Sequence, residues 1–218
     1  MRKYKYILFD LDGTLIYSHP GIYSCIRYAL NAMGRTEEPS IFTLKKCIGP
    51  MLMESFTGIF GMTEKEAEEA TRKYREQYSK TGVWENEPIE GSIAACKRLC
   101  ELGYTLALTT SKPKVYSDQI TARHGFDRYL SVQVGSGLDG SLPTKASVIA
   151  EAMRQLGAEK SECLMIGDRR QDAVGAAENG VDCALLRVGY GDEEELQNVK
   201  STYIFNDFAA LLEFLGNI

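Results

Sequence analysis

The feature that most restricts the fold of this chain is a set of short, unbroken apolar runs separated by helical lengths of sequence. They fall at residues 6–9, 104–109, 129–134, 163–166 and 182–186. Runs this short, without polar alternation, are what strands buried on both faces look like, so they predict a parallel sheet covered by helices. The intervening segments have readable helix ends. Residues 92–101 put Ile93, Cys96, Leu99 and Cys100 on one face and stop before Gly103. Residues 115–124, 146–156 and 172–179 stop at Gly125, Gly157 and Gly180, residues suited to a left-handed cap. Asp192 with Glu195 forms a capping-box pattern that opens a last, exposed helix.

One stretch breaks the rhythm. Between about Ser18 and Trp84 there is no strand-like run. Ile22, Cys25, Ile26, Ala29, Leu30 and Met33 form one apolar helical stripe, and Ile48, Leu52, Phe56, Ile59 and Phe60 another. Thr63 and Glu66 make a capping box for a third helix, with Glu68–Arg72 and Glu69–Lys73 spaced as ion pairs on a solvated face. Pro88 and Gly91 mark the return to strand–helix alternation. The expected architecture is a doubly wound α/β core made of residues 1–16 and 86–218, interrupted by an all-helical domain at 17–85.

With 44% hydrophobic residues in 218, a substantial core is available and disorder is excluded. The 25 basic and 30 acidic residues give a net charge of −5, which disfavours a nucleic-acid polymer or an anionic membrane as partner. Ile7-Leu8-Phe9 is too short an apolar run for a signal peptide, and no stretch reaches the roughly 18 residues of a membrane span, so the expected setting is cytoplasmic. The six cysteines contain no Cys-x-x-Cys pair and read as reduced, buried thiols, not a zinc site.

The chemistry concentrates where the runs end. Asp10 and Asp12 follow the first run, at the carboxyl end of a strand, where open α/β sheets bind ligands. A two-residue offset in extended chain points both the same way, and Gly13 permits a sharp turn after them. A calcium loop is excluded because Tyr17 and Ile22 stand where further ligands are needed. Asp168 and Asp172 follow the 163–166 run, so strand-end logic brings them to the same edge. Alone they read as helix caps; four converging carboxylates instead suit a hard divalent ion, best Mg²⁺. Thr110 and Ser111 end the second run with hydroxyls and backbone N–H groups suited to an anion, and Pro113 suits a first helical turn. Lys145 opens a helix, where the dipole disfavours a cation, which is explicable if it neutralises a bound phosphate or the nucleophile. The two histidines follow no nucleophile-elbow sequence; His124 reads as structural and His19 as a candidate substrate contact.

Taken in order, Asp10-Leu11-Asp12-Gly13-Thr14-Leu15, then Thr110, then Lys145, then Gly167-Asp168 with Asp172, resemble the four motifs of the haloacid-dehalogenase-like phosphatases. Thr110-Ser111-Lys112-Pro113, Gly135 to Gly140, Gly167-Asp168-Arg169 and Gly189-Tyr190-Gly191 are most similar to the phosphoglycolate phosphatase and 5′-nucleotidase-like branch. Many relatives carry Asn where Ser111 stands. The resemblance implies a Rossmann-like core with a helical cap. It implies Asp10 as nucleophile forming an aspartyl-phosphate, and Asp12 as acid and then base. Mg²⁺ would be held by Asp10, the Asp12 carbonyl and Asp168 with Asp172 in support, and the phosphate by Gly13, Thr110, Ser111 and Lys145. A small phosphorylated metabolite would be the substrate, with cap residues such as Lys45 and Lys46 near Gly49-Pro50 reading the leaving group. The same resemblance admits a phosphomutase of the β-phosphoglucomutase type. A catalytically idle binding module would lack the nucleophile or the acid, yet both are present. A dehalogenase is disfavoured because those enzymes dispense with the second aspartate.

Overall fold

A computed structural model describes residues 3–217 and divides into two compact units, one reaching to Tyr17 and resuming at Pro88, the other spanning Ser18–Glu87. The first unit begins with β1 (Tyr6–Phe9) and β2 (Ile16–Tyr17). The second contains α1 (His19–Ala32), α2 (Ile41–Lys45), α3 (Leu52–Glu54), which runs into a π-helical turn at Ser55–Ile59, and α4 (Glu64–Lys80). After β3 (Glu87–Pro88) the order is α5 (Ser92–Glu101), β4 (Thr105–Pro113), α6 (Lys114–His124), β5 (Leu130–Ser136) and α7 (Lys145–Leu156). It ends with β6 (Cys163–Gly167), α8 (Arg170–Glu178), β7 (Asp182–Leu186), α9 (Glu193–Asn198), β8 (Tyr203–Phe205) and α10 (Phe208–Gly216).

Six strands form one sheet in the order β5-β4-β1-β6-β7-β8, and the pairings along it are parallel. This is the doubly wound α/β fold. β1 lies at its centre, with Phe9 in register with Leu108 of β4 and with Ile166 of β6. Ile7, Leu8 and Phe9 are fully buried, as an unbroken apolar run in a two-sided sheet requires. Successive strands step outward from β1 through β4 to β5, and then from β6 outward on the other side. The winding reverses beside β1, so the carboxyl ends of β4, β1 and β6 lie next to one another at the switch point.

In the second unit, α1 buries Ile22, Cys25, Ile26, Ala29 and Leu30 and packs on α4, which buries Ala67, Ala70, Tyr74 and Tyr78. Thr63 and Glu66 close the reciprocal capping box at the start of α4.

Several local expectations differ from the structure. The 48–60 stripe is not one helix: α3 is a single turn and the π-turn follows it. On α4, Arg72 pairs with Glu69 at a spacing of three residues, one residue shorter than the two expected pairs. Asp192 caps α9 through the Glu195 N–H, but the Glu195 carboxylate turns to Arg169 and the Arg170 N–H and closes no box. Pro113 ends β4 and caps α6 from outside its first turn. Nor is α9 the last helix. β8 and α10 follow, joined by an aromatic cluster of Tyr203, Phe205 and Phe214. A three-residue strand is too short to register as a pattern. The six cysteines are free thiols, five of them buried.

Candidate active site

Asp10 is the first residue beyond β1, Asp168 the first beyond β6, and Asp172 lies in the first turn of α8. The fold brings one oxygen from each within 4.8 Å of the others, and all three residues are buried. Lys145, the first residue of α7, reaches into this group. Its ammonium lies 2.5 Å from Asp10 Oδ1 and 2.9 Å from Asp172 Oδ1, and donates to the Thr109 carbonyl at 3.0 Å.

Asp168 and Asp172 are also held from behind. Asp168 Oδ2 accepts from the Tyr190 N–H at 2.6 Å, and Oδ1 from the Thr14 hydroxyl at 3.4 Å. Asp172 Oδ2 accepts from the N–H groups of Asp168 and Arg169 at 3.1 and 3.0 Å. Asp172 is therefore both a helix cap and a member of the acidic group, so the two readings open in the sequence coexist. Its other oxygen is buried and, although close to Lys145, off the hydrogen-bonding line.

Burial pushes the Asp10 pKa up to about 6, against the pull of Lys145. Burial also raises Asp168, reinforced by the charges of Asp172 and Asp10. Burial disfavours the Lys145 ammonium, but the charges of Asp10 and Asp172 outweigh it and hold its pKa above the usual value. Three carboxylates against one ammonium set a surplus of acidic groups in a buried cluster. An all-oxygen donor set with one buried oxygen lacking a hydrogen bond fits a hard divalent cation.

Two glycines make room for Asp168. Gly13 has φ 88° in the turn after Asp12, and a Cβ on either Gly13 or Gly189 would overlap the Asp168 carboxylate. Gly175 of α8 passes Lys145 so closely that a Cβ there would sit 2.7 Å from its Cγ.

Asp12 does not join the three. Both its oxygens accept from the Lys112 ammonium, at 2.7 and 2.8 Å, in a nearly buried pair. The convergence expected of four carboxylates is one of three among the described residues, because this lysine draws the fourth aside. Thr110 is buried, and its hydroxyl oxygen accepts from the Lys112 N–H, which leaves the hydroxyl hydrogen to donate. Ser111 is half-buried, its carbonyl accepting from the Ser136 hydroxyl. His19, Lys45 and Lys46 belong to the other unit: His19 packs 5.6 Å from the Tyr23 ring, Lys45 is half-buried, and the Lys46 ammonium lies 4.3 Å over Phe42. His124 ends α6, its pKa lowered by burial and by Arg123. Lys112 and Gly189-Tyr190 belong to the family likeness in the sequence, which by itself assigns them no task. The signal for Lys112 was a lysine directly after hydroxyls at a buried strand end.

This fold and this acidic strand-end cluster define a class, and the chain belongs to the haloacid dehalogenase-like hydrolase family, which it matches over residues 7–186. It is 38% identical to a 5′-nucleotidase of Pseudomonas aeruginosa, over 98% of this chain and 96% of that one. A tyrosine-protein kinase of Mycobacterium tuberculosis, PtkA, is 34% identical over 91% of this chain and 67% of its own. A crystal structure of a predicted phosphatase from Clostridium acetobutylicum superposes with a TM-score of 0.94 at 37% identity, covering 99% of both chains. No helix among the described residues is long and apolar enough to cross a membrane.

Proposed function

We propose that this protein is a Mg²⁺-dependent phosphatase of small phosphate monoesters, with 5′-nucleotides favoured over phosphoglycolate by the more similar relative. The observation that carries the reading is the meeting of Asp10, Asp168, Asp172 and Lys145, from three separate segments, in one buried cluster.

Asp10 is the nucleophile. Its carboxylate oxygen attacks phosphorus while the bond to the leaving alkoxide breaks, giving an aspartyl-phosphate. Asp12 gives its proton to the departing oxygen and afterwards takes one from the water that frees inorganic phosphate. Lys145 and the Thr110 hydroxyl, with the backbone N–H groups near Gly13 and Ser111, hold the phosphoryl oxygens. Asp10, the Asp12 carbonyl and Asp168 would hold the Mg²⁺, with Asp172 in support, and the bound ion would supply charge neutralisation between nucleophile and phosphoryl group. The helical unit would serve as a cap that reads the leaving group, with His19, Lys45 and Lys46 as its candidate contacts.

The test is phosphate release from a panel of nucleoside 5′-monophosphates, phosphoglycolate and sugar phosphates, with Mg²⁺ and with chelator. Mg²⁺-dependent release from at least one monoester is expected; none from any of them contradicts the reading. A second reading, phosphoryl transfer to a protein tyrosine, is favoured by the kinase name of one relative. Label from γ-labelled ATP would then stay on protein tyrosine instead of appearing as inorganic phosphate. Isomerisation of β-glucose 1-phosphate without stoichiometric phosphate would point to a mutase.

A further inference from the structure

From Ala107 opposite Val132, β4 and β5 run in regular register up to Thr110 opposite Gly135, and the next paired residues are Pro113 and Ser136. Ser111 and Lys112 therefore bulge from β4 while β5 advances by one residue, and bulges re-aim side chains. This one is tightly built. The Ser136 hydroxyl donates to the Ser111 carbonyl at 2.7 Å, and the Lys112 N–H donates to the Thr110 hydroxyl. Gly135 lets the bulge lie against β5, since a Cβ there would sit 2.6 Å from the Lys112 carbonyl oxygen and 2.8 Å from Lys114 Cα. The bulged lysine is not spent on solvent: its side chain is 6% exposed and ends on both oxygens of Asp12.

We propose that Lys112 is a positioning residue for Asp12, aimed by the β4 bulge so that its ammonium fixes the carboxylate where it serves the leaving oxygen. The role rests on the acid–base part given to Asp12 under the proposed function. A general acid must lie within hydrogen-bond reach of the oxygen it protonates, and a displacement of about 1 Å can cost on the order of a hundredfold. As a carboxylate, Asp12 is gripped at both oxygens by a nearly buried ammonium and has little freedom to swing; when one oxygen carries the proton it donates, the ammonium keeps the other. Asp10 and Asp168 are held differently, Asp10 by Lys145 at one oxygen and Asp168 by the Tyr190 N–H and the Thr14 hydroxyl.

The test compares kcat/KM on a nucleoside 5′-monophosphate, whose alkoxide needs a proton to leave, with kcat/KM on p-nitrophenyl phosphate, whose phenolate needs little help. K112M should lower the first by about tenfold or more and the second by less than about threefold. K112R should recover part of the loss, and G135A, which displaces the bulge, should shift the ratio in the same direction as K112M. In a D12N background, K112M should change the nucleoside 5′-monophosphate value by less than about threefold, as expected for residues acting as one unit. Equal losses on both substrates, or a K112M effect that persists in full in D12N, would overturn the role and make Lys112 a direct phosphate ligand or a fold element. Near-UV circular dichroism reports the fold; should K112M lose the native signal, the ratio is read on K112R and G135A, which keep the cation. A wild-type chain that releases phosphate from neither substrate overturns the proposed function together with this role.

Discussion

Gly189 offers a sharp probe of the cluster because its backbone is ordinary: it is not among the glycines with positive φ, so alanine there brings crowding without backbone strain. A Cβ at Gly189 would fall at least an ångström inside the 3.4 Å at which ordinary contact begins, against Asp168 Oδ2, Asp168 Cβ and the Gly13 carbonyl oxygen. One of those neighbours is backbone, in the turn after Asp12, so the Asp168 carboxylate or the turn has to shift by about an ångström. Overpacking of this kind costs about 1–3 kcal/mol, which in a domain of this size lowers Tm by roughly 2–12 °C. The displacement acts on a carboxylate assigned to the metal, so G189A should lose about a hundredfold in kcat/KM and require more Mg²⁺ for half-maximal rate. Thermal melting and a Mg²⁺ titration of phosphate release measure the two effects. G58A is the control, since a Cβ there meets nothing within 4 Å and should leave both unchanged. A G189A enzyme with wild-type Mg²⁺ dependence and activity within threefold would refute the reasoning, because Asp168 would then tolerate the shift.

Other perturbations follow from the same geometry. D10N should reduce turnover at least about a thousandfold while the chain keeps its native circular dichroism; activity within tenfold of wild type removes Asp10 from the nucleophile's place. K145M leaves three buried carboxylates without their ammonium and should destabilise the chelated protein by about 3–5 kcal/mol in denaturant titration, with Mg²⁺ restoring part of that. The Asp10 pKa is raised to about 6 by burial, and Asp168 is raised in the same direction. Groups raised on folding stabilise below their unfolded pKa and lose that contribution as pH climbs through the folded value. Chelated wild type should therefore lose stability relative to D10N between about pH 4 and pH 7, measured as the difference in ΔG of unfolding; a difference that grows with pH contradicts the shift.

How far the sequence could be read depended on how local each signal was. The buried strands announced themselves because a two-sided sheet demands unbroken apolar residues, as at Ile7-Leu8-Phe9. Helix ends at Gly125 and Gly157 were legible because a left-handed cap is a one-residue requirement. The grouping of Asp10, Asp168 and Asp172 was legible because strand ends at a switch point must converge. Lys112 was not, because its reach to Asp12 depends on a bulge, and a register shift between β4 and β5 leaves no periodic trace in either strand. The same holds for Glu195, whose local pattern promised a capping box while a tertiary contact with Arg169 took its carboxylate. β8 and the π-turn were too short for periodicity to speak.

The central claim is that Asp10 accepts a phosphoryl group beside an ion held by Asp10 and Asp168. A crystal structure grown with Mg²⁺ and beryllium fluoride, a mimic of an acyl phosphate, tests it most directly. The account predicts beryllium bonded to an Asp10 carboxylate oxygen, fluorines on Lys145 and Thr110, and Mg²⁺ within about 2.1 Å of oxygens from Asp10 and Asp168. Beryllium fluoride on any other carboxylate, or Mg²⁺ bound away from this pair, would contradict it.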